Sequence, residues 1–454
     1  MGKSSRRQII ELLALAMGIR FGLMFFNHSW DLQTWYNMFV DLAKDQSPYE
    51  TLRYLTQSAR SRYGLIWYES GRILSSKPAV FYEYYAYPPF LMILYYPVAK
   101  LYALFFPLEY NFVLPYTSTL SRINPAFYLF FKTPIFLSDL GIGLLLYKMA
   151  SRKAMKSFLF NPYIILVSAC WSFDSMAVFF LLLSIYLIKT KQFVGSSLAL
   201  ALGTAAKFYP LLALPLLNLY FLRKDLSWKK IALYNATFFL VLLGIILPFR
   251  QGLWLVLDFH SRRAGTGLSL HSVLYLMAQF AKSGAWIYYQ IFSPAIGAFT
   301  LTLGLLLSYY YLARRTFSLN IMILFILTAF LLFSKIVNEQ YLFMLIPFLL
   351  LELSSHYSEK KELIYKLMWS LPYIFAIINV PIYMFVWPFY LSFFKPDLTN
   401  LQAGMAAYGT ALPKLAHGVM LFSIACLFVL SCIYALRVFS QEKSHEKVAS
   451  PTPG

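Results

Sequence analysis

Five stretches of this chain, 9–26, 127–146, 231–248, 295–312 and 415–436, are apolar over roughly the length that crosses a lipid bilayer. A hydrocarbon core offers no water to an exposed peptide group, so each stretch must bond its own backbone, as a helix does. A β-barrel would need short segments of alternating polarity, whereas these runs are continuous. Composition agrees, with 59% hydrophobic and 13% charged residues among 454. The fold class expected is all-α, a polytopic transmembrane helical protein.

The net charge of +20 would suggest nucleic acid in a soluble protein. Here the basic residues cluster in short loops, at 3–7, 148–156, 189–191, 223–230, 314–315, 360–366 and 437–447. The positive-inside rule accounts for them, so nucleic-acid binding is rejected. Cys170, Cys426 and Cys432 lie in apolar segments without metal-ligand spacing, so neither a disulfide framework nor a metal site is expected. The first apolar run follows Lys3, Arg6 and Arg7 with no small-residue cleavage site, which reads as an uncleaved signal anchor. The sequon Asn27-His28-Ser29 lies too close to that run to carry weight.

If every basic cluster shares one face, each stretch between clusters crosses an even number of times. From Lys156 onward this yields five hairpins, with tips at 171–174, 207–210, 250–271, 335–341 and 387–413. The arm 192–206 has 15 residues, roughly 22 Å of helix against a ~30 Å core. Short arms imply recessed tips lining a polar vestibule open to the opposite, external face. The N-terminal third requires an odd number of passes before Lys148. Runs 87–106 and 127–147 are clear and 110–120 is optional, so the total is 12 or 14 crossings. One membrane domain, 1–439, is expected to precede a polar, disordered cytoplasmic tail, 440–454.

The first external loop, 27–86, places Leu32, Trp35, Tyr36, Phe39 and Leu42 at helical spacing, the pattern of an amphipathic helix in the membrane interface. Arg53, Arg60, Arg62, Arg72 and Lys77 in the same loop suit lipid headgroups or an anionic substrate.

Ionisable side chains at membrane depth are costly, and each here has a bland and a functional reading. Asp31 either caps the helix that follows it or acts as a general base toward an incoming hydroxyl. Lys132 and Asp139 stand two turns apart on one apolar helix, either as an ion pair orienting helices or as support for the site. Asp174 follows Trp171 at the first tip and could cap the next helix or serve the site. Lys207 between apolar arms must reach the external face or an anion. Arg262 and Arg263, after His260, break the positive-inside pattern, which suits phosphate binding through the guanidinium fork, unless they are simply solvated. Lys335 and Glu339 around the fourth tip invite the same reading.

Taken in order, these motifs resemble the glycosyltransferase-C superfamily of polyprenyl-phosphate-sugar-dependent transferases, nearest to the mannosyltransferases of GPI-anchor assembly and their archaeal and bacterial relatives. The likeness rests on His28-Ser29-Trp30-Asp31-Leu32, Tyr87-Pro88-Pro89, Lys132-Thr133-Pro134 with Ser138-Asp139-Leu140, and Asn161-Pro162 leading to Trp171-Ser172-Phe173-Asp174-Ser175. It continues through Lys207-Phe208-Tyr209-Pro210 and the stretch from Lys335 to Phe343, and so spans residues 20 to 350. Relatives commonly read Trp-Gly-Gln before the tip aspartate, where this chain has Trp-Ser-Phe, and many have His-Glu-Arg-Tyr in place of Asn338-Glu339-Gln340-Tyr341.

The resemblance implies an inverting transfer from a polyprenyl- or dolichyl-phosphate monosaccharide, as co-substrate, to a glycan or glycolipid acceptor on the external face. Asp31 would be the catalytic carboxylate. Arg262, Arg263, Lys207 and Lys335 would hold the donor phosphate, with no metal needed. Trp35, Tyr87, Lys132, Asp139, Asp174, Tyr209, His260, Glu339, Gln340 and Tyr341 would bind substrate or support the site. The protein would sit among membrane lipids in a prokaryotic cell membrane, or in the endoplasmic reticulum membrane of a eukaryote, with or without a small membrane partner subunit. A lipid-linked saccharide flippase or secondary transporter is the rival reading, since intramembrane charges suit it equally. The long first loop and the lack of an internal repeat favour the enzyme.

Overall fold

The computed structural model describes residues 3–49, 85, 87–108, 123–170, 173–262, 267–274, 294–379, 389, 393 and 414–442. Among these residues the chain is all-α, without a β-strand. The helices in order are α1 Lys3–Leu23, α2 Ser29–Ala43, α3 Phe90–Ala103, α4 Ala126–Met149, α5 Arg152–Leu159, α6 Pro162–Cys170, α7 Asp174–Lys189 and α8 Phe193–Ala206. There follow α9 Ala213–Arg223, α10 Trp228–Ile246, α11 Arg250–Arg262, α12 Pro294–Ala313, α13 Leu319–Phe333, α14 Ile346–Ser355, α15 Glu359–Asn379 and α16 Lys414–Ser440.

Among the described residues four helical stretches are long and apolar enough to cross a membrane: Ala126–Met149, Trp228–Trp254, Ile296–Ala313 and Ala416–Ser440. Helices α6 and α7 together make a fifth if their 120° bend is one broken span. The protein is therefore polytopic; α1 and α15 have 21 residues each but are less apolar, and α3, α8 and α13 are apolar but shorter. Helix α8, with 14 residues, is roughly 21 Å long, as short as its stretch of sequence implies. The arm before the first tip divides into α5 and α6, because Asn161 ends one helix and caps the next. Its side-chain oxygen accepts from the Tyr163 backbone N–H at 2.9 Å, and Pro162 in the first turn has no N–H to lose. Ser151 and Ser318 cap α5 and α13 in the same way.

Contacts between helix ends show how the basic loops are arranged. Arg152 meets Gln8 of α1 at 2.5 Å, and Lys148 lies 5.5 Å from the Tyr186 ring near the end of α7. Arg223 donates to the last carbonyls of α12, at Leu312 and Ala313, and the Tyr311 hydroxyl reaches the Ser440 carbonyl at 3.4 Å. Lys361 ion-pairs with both Glu352 and Glu442 at 2.9 Å. All these contacts lie at one end of the bundle, called here the basic end. Glu442 is thus docked, so the start of the expected disordered tail is held; residues 443–454 lie outside the described residues.

Two apolar cores support the opposite end. The larger runs through α4 to α9 and α13 to α16. The smaller is aromatic and gathers α2, α3 and the start of α4 around Trp35, Phe39, Tyr95, Tyr102, Phe127 and Phe131. This corrects the interfacial reading of α2. The expected apolar stripe forms, but Leu32, Trp35, Tyr36, Phe39 and Leu42 are buried against protein rather than left for lipid. Large rings interlock at 5–6 Å, as Phe39 with Tyr95, Phe127 and Phe131, and such packing is denser than contact with acyl chains.

Candidate functional site

Helix α1 ends at Leu23, and the next few residues turn the chain so that the His28 backbone N–H donates to the Cys170 carbonyl at 2.7 Å. That single bond ties the start of α2 to the first hairpin tip. His28 occupies the N-cap of α2 and Asp31 stands in its first turn, so Asp31 is not the capping residue. Its carboxylate is 25% exposed and lies 3.7 Å from His28 Nδ1. Burial lowers the affinity of His28 for a proton, and the Asp31 charge opposes that shift. The free amides of the α2 N-terminus favour a carboxylate at this position.

Three further charges lie within electrostatic reach of Asp31: Lys132, Asp174 and Glu339. Lys132 is fully buried on α4, 3.5 Å from the Ser168 carbonyl. Asp174 opens α7 and is ion-paired with Lys207, which follows α8 directly. The Lys207 ammonium also sits 4.1 Å from the centre of the Tyr341 ring, and the Tyr209 hydroxyl reaches the Asp174 carbonyl at 3.3 Å. Glu339 opens a short 3-10 turn within the fourth tip, where its backbone carbonyl accepts from the Tyr163 hydroxyl at 2.6 Å. Its buried carboxylate meets no side-chain donor among the described residues. Gln340 beside it is buried as well, with Oε1 unpartnered.

Aromatic side chains form one wall. Trp35 stacks 5.7 Å from Phe131 and meets Phe173 edge-on at 4.3 Å, with Tyr87 tilted over it at 5.0 Å. The Tyr87 carbonyl is held by the Tyr49 hydroxyl at 2.6 Å. Helix α11 passes close by, with Gly252 against the Tyr49 ring; a Cβ there would fall 2.2 Å from it. Phe389 of the fifth tip stacks on Phe26 at 5.3 Å and Phe393 meets Phe25 edge-on at 5.0 Å, the other residues of that tip lying outside the described residues.

The tips inferred from sequence thus converge, carrying Asp31, Trp35, Tyr87, Lys132, Asp174, Lys207, Tyr209, Glu339, Gln340 and Tyr341 to one end. Two sequence assignments change in substance. Lys207 is already neutralised by Asp174, so its charge is committed within the protein rather than offered to an anion. Asp139 pairs with Arg20 of α1 at 2.6 Å, both side chains fully buried, and also accepts from the Ser168 hydroxyl at 2.5 Å. Arg20 further donates to the carbonyls of Ala16 and Leu159. This is a clasp joining α1, α4, α5 and α6. Arg20 was legible in principle, as a lone charge inside an apolar run.

Lys335 lies in a second group. Its stem packs on Gly297, its carbonyl accepts from Ser269 at 3.4 Å, and His271 is close enough to feel its charge. Burial pushes the Lys335 ammonium down from its ordinary value. Gly267 pairs with Val337 at φ +101°, where a Cβ would fall 1.8 Å from the Val337 carbonyl oxygen, so only glycine fits. This bridge brings residues 267–274 against the fourth tip. Arg262 closes α11 five residues before Gly267. The side chains of His260 and Arg262, and all of Arg263, lie outside the described residues. No group of three or more His, Cys, Asp or Glu residues placed to hold a metal occurs among the described residues. No known family model matches the chain, and a search of the curated proteins finds no match.

Proposed function

We propose that this chain is a membrane-bound glycosyltransferase that moves a hexosyl residue, such as mannose, from a polyprenyl-phosphate carrier to the hydroxyl of a glycan or glycolipid acceptor. The observation that carries the reading is the contrast among the acids at the tips. Asp31 is 25% exposed and, among the described residues, meets only His28 at 3.7 Å, whereas Asp174 is spent on Lys207 and Glu339 is buried. Asp31 is the acid an incoming hydroxyl can reach.

In this reading the acceptor oxygen gives its proton to Asp31 and attacks the anomeric carbon of the donor sugar. The bond from that carbon to the phosphate oxygen breaks with inversion, and the phosphate departs with the bonding electrons. Cations stabilise the developing phosphate charge, a role that suits Arg262, Arg263 and Lys335. Tyr87, part-buried and backed by the buried Trp35, offers an aromatic side chain against which a sugar can lie. Lys132, fully buried on α4, lies within electrostatic reach of Asp31.

The test is an assay of the purified protein with a panel of polyprenyl-phosphate monosaccharides and lipid-linked acceptors. Transfer of one sugar by the wild type, lost in Asp31→Asn, is the expected result. Passage of lipid-linked saccharide across vesicles with no sugar transferred would overturn the reading in favour of a flippase.

A further inference from the structure

At the basic end, far from Asp31, a cavity of about 400 Å³ opens between the start of α8 and the first turns of α10. Lys191 and Lys230 stand at its rim, and Phe193, Val194, Leu233 and Tyr234 form its walls. Its two halves differ in character. One presents two ammonium groups; the other continues onto the face of α10, where Leu233 and Leu240 are 55% and 71% exposed. Only 11% of the apolar window containing α10 is buried within the protein, so this helix presents a long apolar surface outward.

Several other basic groups at that end are already engaged. Lys148 is placed over the Tyr186 ring, Arg314 over Tyr310 and Arg315 over Tyr311. Arg223 is used to cap α12. Lys191 and Lys230 have neither a carboxylate nor a ring partner among the described residues, yet they face each other across one concave space. Two like charges around a cavity repel unless an anion lies between them. The cavity's floor is held firm: the Ser197 hydroxyl donates to the Tyr234 carbonyl at 2.6 Å, and the Tyr234 and Ser196 hydroxyls are 3.3 Å apart.

We propose that this cavity seats the phosphate of an anionic phospholipid, held by Lys191 and Lys230, with the acyl chains lying along the exposed apolar face of α10. An anionic head attached to a hydrocarbon tail is the one ligand chemistry that matches both halves at once. Basic pockets between membrane helices commonly take such headgroups.

Native mass spectrometry of the full-length protein in detergent tests this, using dioleoyl phosphatidylglycerol, dioleoyl phosphatidylcholine and water-soluble glycerol phosphate as probes. The wild type is expected to retain phosphatidylglycerol in preference to phosphatidylcholine, and glycerol phosphate is expected to bind far more weakly because it lacks the tails. Replacing both lysines (Lys191→Gln with Lys230→Gln) should weaken phosphatidylglycerol binding on the order of ten- to thirty-fold. The pair Lys153→Gln with Lys156→Gln, at the same end but away from the cavity, should leave it unchanged. Leu233→Glu, which sets an acid in the wall, should reproduce the loss without touching either lysine. Equal binding of the two phospholipids, or full retention of phosphatidylglycerol by the Lys191/Lys230 double variant, would overturn the proposal. Glycerol phosphate binding as tightly as the lipid would also overturn it, leaving a simple phosphate site.

Discussion

Helix α4 carries two charges seven residues apart, and the structure treats them in opposite ways. Asp139 is sealed between Arg20 and Ser168, in a clasp whose groups come from four helices and reach no solvent. Lys132, about 10 Å up the same helix, faces the tips where Asp31, Asp174 and Glu339 gather. In the first group the two charges neutralise each other, although Arg20 Nη2 and Asp139 Oδ1 keep no hydrogen-bond partner among the described residues. The second keeps a partly exposed carboxylate and, among the described residues, a buried glutamate without a side-chain donor and an unpartnered Gln340 amide oxygen. A sealed pair of opposite charges holds helices in register, whereas a carboxylate left partly open to solvent keeps a polar capacity that a substrate can use.

That contrast can be broken most directly at Asp31. If the tips are the reactive group, Asp31→Asn should lower sugar transfer on the order of 10²–10⁴-fold with the melting temperature unchanged. An equal loss of folding and of transfer would place Asp31 with the clasp instead.

The clasp predicts the reverse pattern. Arg20→Leu leaves Asp139 buried without its cation and should cost about 3–5 kcal/mol, seen as a large fall in the melting temperature in detergent. Replacing both partners, Arg20→Leu with Asp139→Leu, should recover most of that loss, because two apolar side chains leave no uncompensated charge. A double variant as unstable as the single one would show that the clasp is more than a pair.

Gly267 tests how firmly the fourth tip is held. Gly267→Ala should cost about 1–3 kcal/mol through its positive φ and the clash with Val337. The Leu268 amide, now bonded to the Val337 carbonyl at 2.9 Å, should exchange its hydrogen faster in the variant. Unchanged exchange would mean that the bridge contributes nothing to the site.

The smallest effect lies outside both groups. Asp45 accepts from Lys100 and Tyr96 at 2.7 Å each, which holds its carboxyl below the ordinary carboxylate range and links the end of α2 to α3. Its proton affinity is lower folded than unfolded, so the stabilisation is present above the ordinary carboxylate value and fades as pH falls through the lowered one. Because the pair is exposed, Asp45→Asn should shift melting only slightly at neutral pH, and the shift should vanish in strong acid.

Much of this arrangement was legible along the chain. Apolar runs of bilayer length dictate helices, because no other structure satisfies a backbone in hydrocarbon. The charges that interrupt those runs mark the tips, and the basic clusters mark the opposite end, since both follow from the cost of placing charge in lipid. Caps such as Asn161 and Ser318 announce themselves by local chemistry. Pairing did not announce itself. Lys132 and Asp139 share a helical face and invite each other, yet Asp139 takes Arg20 from 119 residues away. Lys207 looked available for an anion until Asp174, 33 residues earlier, was brought against it. Residue type and spacing set the cost of burying each charge. Which partner meets that cost depends on distances that only the packed helices define.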